Sequence, residues 1–225
     1  MKNKTYYCFL LLLGFMTVFS NACKKDEEKD PSVVTDIDGN VYQTITIANQ
    51  TWMTDNLKTT KYNDGTAIPF VADSALWRNL SGPGYCWYEN DPGSYKSKYG
   101  ALYNWFTINT GKLCPKGWHI PSDAEWTSLI NLSLAAGYMV ESGTYRWTIT
   151  GAGAAIESGF NDPPAGFRYF NGGFSSASSG GFWFSSTLET NGLPIGFTLS
   201  SDNHYISMKA VGGRTNGISV RCIKD

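Results

Sequence analysis

Charge is scarce in this chain of 225 residues: Asp, Glu, Lys and Arg make up 16% of it and nearly cancel, leaving a formal net charge of −1. No basic stripe is present of the kind that neutralises phosphates, which excludes nucleic acid as a partner. Histidine is scarcer still, with only His119 and His204. Neither has the spacing of a zinc ligand set, and C-x-x-C pairs are missing, so no metal knuckle is expected. Nucleophilic catalysis needs a serine or cysteine beside an activating base. His119, between Trp118 and Ile120, suits a structural role, and His204 lies in the polar run Asp202-Asn203-His204-Tyr205 with no triad spacing around it. No catalytic residue, metal or cofactor is therefore assigned, and the chain is read as a non-enzyme. Long apolar runs are also missing, with one exception at the N-terminus.

That run extends from Tyr6 to Phe19, preceded by Lys2 and Lys4 and followed by Ser20-Asn21-Ala22. This is the anatomy of a signal peptide. It is too short to cross a bilayer comfortably, which takes roughly 20 residues. Cys23 follows, and after it the charged stretch Lys24-Lys25-Asp26-Glu27-Glu28-Lys29-Asp30. The junction resembles a relaxed bacterial lipobox of the Bacteroidetes type, and the Lys-Lys-Asp-Glu-Glu run is similar to the export signal that sends lipoproteins of that phylum to the cell surface. The expectation is a signal peptide over residues 1–22, lipidation at Cys23, and a flexible, solvated tether over residues 23–35. The mature protein is then held to the outer membrane by its N-terminal lipid and displayed on the cell surface. Loss of Lys2 and Lys4 moves the net charge two further units below −1.

Glycine and aromatics are plentiful: 24 Gly, 8 Trp, and 15% Phe, Trp and Tyr together. Such a chain is rich in turns, with long loops pinned by aromatic side chains. Val41–Ile47 and Thr51–Met53, separated by Ala48-Asn49-Gln50, read as a hairpin. Residues 58–94 read as irregular. Tyr99, Leu102, Tyr103 and Phe106 follow helical spacing, which predicts a short helix over 98–108. A second helix begins at Ser122, where Ser122 and Glu125 form a capping box, and stops at Gly137. From residue 144 the chain reads as short strands between Gly-rich loops: Tyr145–Ile149, Gly166–Phe170, Phe182–Ser186, Ile195–Leu199, Tyr205–Lys209 and Gly217–Ile223. Two short helices, small antiparallel sheets and long loops argue an α+β fold. With Cys8 removed and Cys23 lipidated, Cys86, Cys114 and Cys222 remain. An oxidising compartment favours one pair and one thiol left over, and the residues alone leave three pairings open.

Several segments together carry a resemblance. Asp36-Ile37-Asp38-Gly39-Asn40-Val41-Tyr42, Gln50-Thr51-Trp52-Met53 with Asn56-Leu57, Lys61-Tyr62-Asn63-Asp64-Gly65, Tyr99-Gly100-Ala101-Leu102-Tyr103-Asn104-Trp105, Cys114-Pro115-Lys116-Gly117-Trp118-His119-Ile120-Pro121-Ser122-Asp123-Ala124-Glu125-Trp126 and Gly217-Ile218-Ser219-Val220-Arg221-Cys222 occur in order and at fitting spacing. They resemble the Fibrobacter succinogenes major paralogous domain over residues 36–225. The His119–Trp126 stretch and the Ser-Val-Arg-Cys ending are also similar to the formylglycine-generating-enzyme branch of the C-type-lectin-like fold. The resemblance implies that fold, a disulfide between Cys114 and Cys222, and an unpaired, buried Cys86, since Tyr95 stands where relatives carry a local partner. Formylglycine-generating enzymes bind copper through a cysteine pair that this chain lacks, so the activity is not carried over.

Other site chemistry is weaker. Asp36-Ile37-Asp38-Gly39-Asn40 has the opening of an EF-hand loop, but Ile47 stands where the closing acidic residue belongs, so a tight turn is expected. Glu89-Asn90-Asp91-Pro92 holds the ingredients of a lectin calcium motif in the wrong order. Asp73-Ser74-Ala75 fits a short O-glycosylation acceptor pattern at Ser74. In a lectin-like fold the ligand loops come from residues 161–181 and 188–217, where Tyr169, Asn191, Asp202, Asn203, His204, Tyr205 and Arg214 offer ring faces and adaptable hydrogen bonds. The function expected is a cell-surface lipoprotein that binds an extracellular protein or glycan. A purely structural envelope lipoprotein and an enzyme of the oxidase branch are the alternatives.

Overall fold

The computed structural model describes residues 32–135, 138–140, 146–149, 157–161, 165–175, 177, 180–200, 206–210 and 212–225. In chain order, β1 (Val33–Thr35), β2 (Val41–Ile47) and β3 (Gln50–Met53) precede α1 (Ser74–Arg78), β4 (Tyr85–Cys86), α2 (Pro92–Tyr99), β5 (Leu102–Tyr103) and α3 (Trp105–Ile108). Then come β6 (Trp118–His119), α4 (Asp123–Ala135), β7 (Tyr138–Val140), β8 (Arg146–Ile149), β9 (Glu157–Asn161), β10 (Gly180–Leu188), β11 (Pro194–Ser200), β12 (Ile206–Ala210) and β13 (Ile223–Lys224). The strands form one sheet in the order β1-β2-β3-β13-β6 and smaller sheets β10-β11-β12, β7-β8-β9 and β4-β5, all with antiparallel pairings. The fold is α+β.

Four helices among the described residues replace the two expected. The irregular stretch 58–94 conceals α1 and the start of α2, each opened by a single aspartate. Asp73 Oδ1 accepts from the Leu76 amide at 2.7 Å, and Asp91 Oδ1 from the Ser94 amide at 3.1 Å, with Pro92 in the first turn of α2. The helix expected over 98–108 is broken instead. Gly100 takes φ +72°, and a Cβ there would lie 2.8 Å from both Asn56 Cβ and the Leu57 carbonyl. Leu102–Tyr103 then pairs with Tyr85–Cys86, and a new helix starts at Asn104, whose side chain accepts from the Thr107 amide at 3.0 Å. Tyr99, Leu102, Tyr103, Trp105 and Ile108 are all buried, so their spacing reflects a segment enclosed on every side rather than one helical face.

The first hairpin and the second helix form as expected. Ser122 Oγ accepts from the Glu125 amide at 3.3 Å while Glu125 Oε2 accepts from the Ser122 amide at 2.8 Å. Gly137, the expected stop, lies outside the described residues. β1 draws Val33–Thr35, read as tether, into the sheet opposite Val41–Gln43. Gly166–Phe170 is not a strand: only Arg168 bridges, to Phe174 and Gly217, and the chain turns at once. Gly217–Ile223 is mostly single bridges, with Ile223–Lys224 alone forming a strand.

The core has a tryptophan-rich centre in which Trp52, Trp126, Leu129, Trp183, Ile195, Phe197 and Ile223 join β3, α4, β10, β11 and β13. Trp126 lies 5.0 Å, centroid to centroid, from both Trp52 and Phe197. A larger cluster runs from Tyr42 through Trp105 to Cys114 and Cys222. A third surrounds Trp77, Cys86, Tyr88, Tyr99 and Leu102. Cys114 and Cys222 are disulfide-bonded, as the resemblance implies, and Cys86 is a buried free thiol. The bridge spans 108 residues of sequence. Replacing both cysteines with serine, in urea unfolding under non-reducing conditions, is expected to lower stability by about 2–4 kcal/mol. An unchanged midpoint would mean that the crosslink constrains nothing the fold does not already hold.

Candidate functional site

Of the residues expected to face a ligand, Asp202, Asn203, His204 and Tyr205 lie outside the described residues. Asn191 and Arg214 come together at the turn between β10 and β11. Asn191 Nδ2 donates to Glu189 Oε2 at 2.8 Å, its Oδ1 accepts from the Leu193 amide at 2.9 Å, and Arg214 Nη2 donates to the Gly192 carbonyl at 3.2 Å. Both side chains hold the turn itself. Tyr169 lies apart from them: its ring packs 4.5 Å from Phe167, which lies 4.8 Å from Phe182 near the opposite end of β10.

Tyr169 belongs to a different surface, built on a buried cation. Arg168 is fully buried. Its Nε donates to the Gly172 carbonyl at 3.0 Å, and its two terminal nitrogens donate to the carbonyls of Val71 and Ala72 at 2.6 and 2.7 Å. The guanidinium lies 4.4 Å from the Trp77 ring centroid and 5.0 Å from that of Phe174. A planar fork with five donors serves three carbonyls and two ring faces at once, which no other side chain does. The result ties the loop before α1 to the turn over residues 169–173. That turn closes with the Gly172 amide on the Tyr169 carbonyl at 2.9 Å and the Tyr169 amide on the Gly173 carbonyl at 2.8 Å. Gly172, at φ +89°, sits so close to α1 that a Cβ would come 2.6 Å from Ser74 Cβ.

Large apolar side chains are exposed on or next to the segments that meet here. Leu76 is 66% exposed, Phe170 57%, Phe70 48% and Tyr169 41%. Leu76 is carried on α1 and Phe170 in the turn that α1 meets. The sequence reading singled out Tyr169 but missed Leu76 and Phe70, which lie in the stretch read as irregular. It also missed Arg168, because an arginine between two aromatics carries no mark of burial. Ser74, the expected glycan acceptor, is exposed at the first position of α1, and its Oγ donates to the Gly172 carbonyl at 3.3 Å.

Elsewhere, acidic groups are already committed. Asp36 Oδ1 accepts from the amides of Asp38 and Asn40, and its Oδ2 from Asn40 Nδ2 at 2.7 Å and the Tyr42 hydroxyl at 2.6 Å. Asp38 accepts from the amide and hydroxyl of Thr60 and pairs with Lys61 at 3.0 Å. Partial desolvation works against its charge, but these partners prevail and bring its carboxyl down to about 2. The segment is the tight turn expected. Among the described residues no group of three or more His, Cys, Asp or Glu is placed to hold a metal. Burial pushes the Cys86 thiol up to about 12 despite the nearby Arg168 cation, so it stays protonated and unreactive at neutral pH. A shallow depression on the outer side of α4 is lined by Ala124, Thr127, Ser128 and Asn131, with no ionisable or aromatic group.

The Fibrobacter succinogenes major domain model matches residues 45–224. Searches of curated proteins and of solved structures found no match. The frame under the exposed surface is open to test. Arg168→Lys removes the fork and strands buried carbonyls, and is expected to cost about 2–4 kcal/mol in urea unfolding; a change within about 0.5 kcal/mol, the usual range for a surface substitution, would contradict the bridging role.

Proposed function

The chain belongs to the Fibrobacter succinogenes major domain family, and on that premise we propose that it is a lipid-anchored, non-catalytic binding protein of the cell surface. Its partner, an extracellular protein or glycan, docks on the surface formed by α1 and the turn over residues 169–173. The observation that carries this reading is the contrast between frame and rim. Arg168 is buried and fully engaged, while Leu76, Phe170, Phe70 and Tyr169, on or next to the segments it ties together, are exposed. Rigid rings and an aliphatic side chain on a preorganised base lose little entropy when a partner covers them.

The fold is read as C-type-lectin-like. In support, the hairpin β2–β3 near the start of the chain meets β13 near its end in one sheet. The lipid anchor rests on the residues around Cys23. Asn203 and His204 remain a second candidate contact in the same half of the chain.

The test uses the folded protein on a glycan array and in cell-surface pull-downs, beside a Leu76→Ala, Phe170→Ala double variant. Binding is expected to weaken by at least about tenfold, the loss typical of removing anchor side chains, with the thermal midpoint unchanged. A captured partner that binds the variant equally well, or no binding in either assay, would overturn the reading. Cys23→Ala is expected to abolish labelling by radioactive palmitate and release the protein from membranes; a labelled, membrane-bound variant would remove the anchor from the proposal.

A further inference from the structure

His119, in β6, stands between two carboxylates. Its Nδ1 lies 2.7 Å from Asp225 Oδ1 and its Nε2 lies 2.9 Å from Glu125 Oε1. A neutral imidazole carries one N–H, and its other nitrogen presents a lone pair. Against two ionised carboxylates at these distances, one of the two contacts would then set lone pair against lone pair. Both are attractive only when the ring is doubly protonated. Glu125 is held in its ionised form: its Oε2 accepts from the amide and the hydroxyl of Ser122, each at 2.8 Å. Burial opposes that charge, but Ser122 and His119 outweigh it and lower the carboxyl below its ordinary value.

We propose that His119 is a proton-gated clasp that fastens the segment after β13 to the capping box of α4. The two arms are unequal. Glu125 is fixed by Ser122 whatever the state of His119, since the capping box is complete in itself. Asp225 is held by its side-chain contact to His119 and by its amide, which donates to the Gly117 carbonyl at 3.0 Å. Loss of one proton from the ring therefore releases the Asp225 arm and leaves Glu125 in place. The charged groups around the ring are Glu125 and Asp123 on α4, Asp225 and Lys224 at the end of β13, and Lys116 in the turn before β6. Asp123 is occupied by the Thr187 hydroxyl at 3.1 Å. Lys116 and Lys224 are exposed and form no ion pair with either carboxylate among the described residues.

The direction with pH follows. Partial desolvation lowers the imidazole, but the hydrogen bonds and charges of Asp225 and Glu125 outweigh it, so the folded value is raised above 6.5. The clasp's contribution is therefore complete below the unfolded value near 6.5 and is lost as pH rises through the folded value. At low pH it is lost again as the Glu125 carboxyl takes up a proton.

The experiment is an NMR titration of the folded protein, following the His119 ring and exchange of the Asp225 amide. The His119 midpoint is expected above 6.5, and protection of the Asp225 amide, corrected for intrinsic exchange, should fall about fivefold across that midpoint, as suits a half-exposed ion pair. Asp225→Asn leaves the ring and the capping box intact, so it tests the clasp even if His119→Gln fails to fold. It should lower the His119 midpoint and abolish the pH-dependent step in protection. A wild-type midpoint at or below 6.5, or protection that ignores the titration, would overturn the proposal.

Discussion

The segment from Gly217 to Lys224 holds the separate parts of this domain in register. Gly217 exchanges hydrogen bonds with Arg168, and Ile218 with Tyr103. The Ser219 carbonyl accepts from the Phe184 amide, that of Val220 from Leu57, and that of Cys222 from Met53. Ile223 then sits between Trp52 and His119 in the main sheet. Within a few residues the chain touches the first hairpin, the β4–β5 ribbon, the surface turn, β10 and β6. The Cys114–Cys222 bond adds a covalent stitch where that seam meets β6. None of these small elements is stable alone, since a two-residue strand or an isolated hairpin is marginal in water.

Two buried arginines lie along this seam. Arg168 spans the gap between α1 and the exposed turn. Arg221, also fully buried, donates to Asn56 Oδ1 at 3.3 Å, and its guanidinium lies 5.6 Å from the Trp183 ring centroid. Trp183 Nε1 reaches the same oxygen at 2.8 Å, and Asn56 Nδ2 donates to the Tyr99 carbonyl at 3.1 Å. Polar groups in a low-dielectric core strengthen one another when satisfied. They specify one arrangement of loops that hydrophobic burial alone leaves loosely defined. The exposed rim of Leu76, Tyr169 and Phe170 inherits its geometry from this polar scaffold rather than from a sheet or a long helix.

What could be read from the residues follows from where the chemistry is local. The capping box at Ser122 and Glu125 and the hairpin over Val41–Met53 rest on neighbours in sequence, and both form where expected. The Asp36 turn likewise follows from its own missing acid at position 47. The break at Gly100 depends instead on Asn56 and Leu57, far away in sequence, so the periodicity of Tyr99 and Leu102 misled. The helices capped by Asp73 and Asp91 were too short to show a pattern. At the site, Tyr169 was visible as an aromatic in a loop, whereas the burial of Arg168 and the exposure of Leu76 are decided by the fold. The pairing of Cys114 with Cys222 came through resemblance, since three cysteines alone leave it open.

Native-state hydrogen exchange of the amides that donate to the seam tests its organising role most directly. Met53 in β3, Tyr103 in β5, Phe184 in β10, and Leu57 and Arg168 in loops each bond a carbonyl between Gly217 and Cys222. If that segment unites the domain, all five exchange only through global unfolding, with one shared free energy and one dependence on denaturant. Distinct opening free energies, with Arg168 or Tyr103 released well below the global value, would show instead a set of independent modules beside which the seam merely lies.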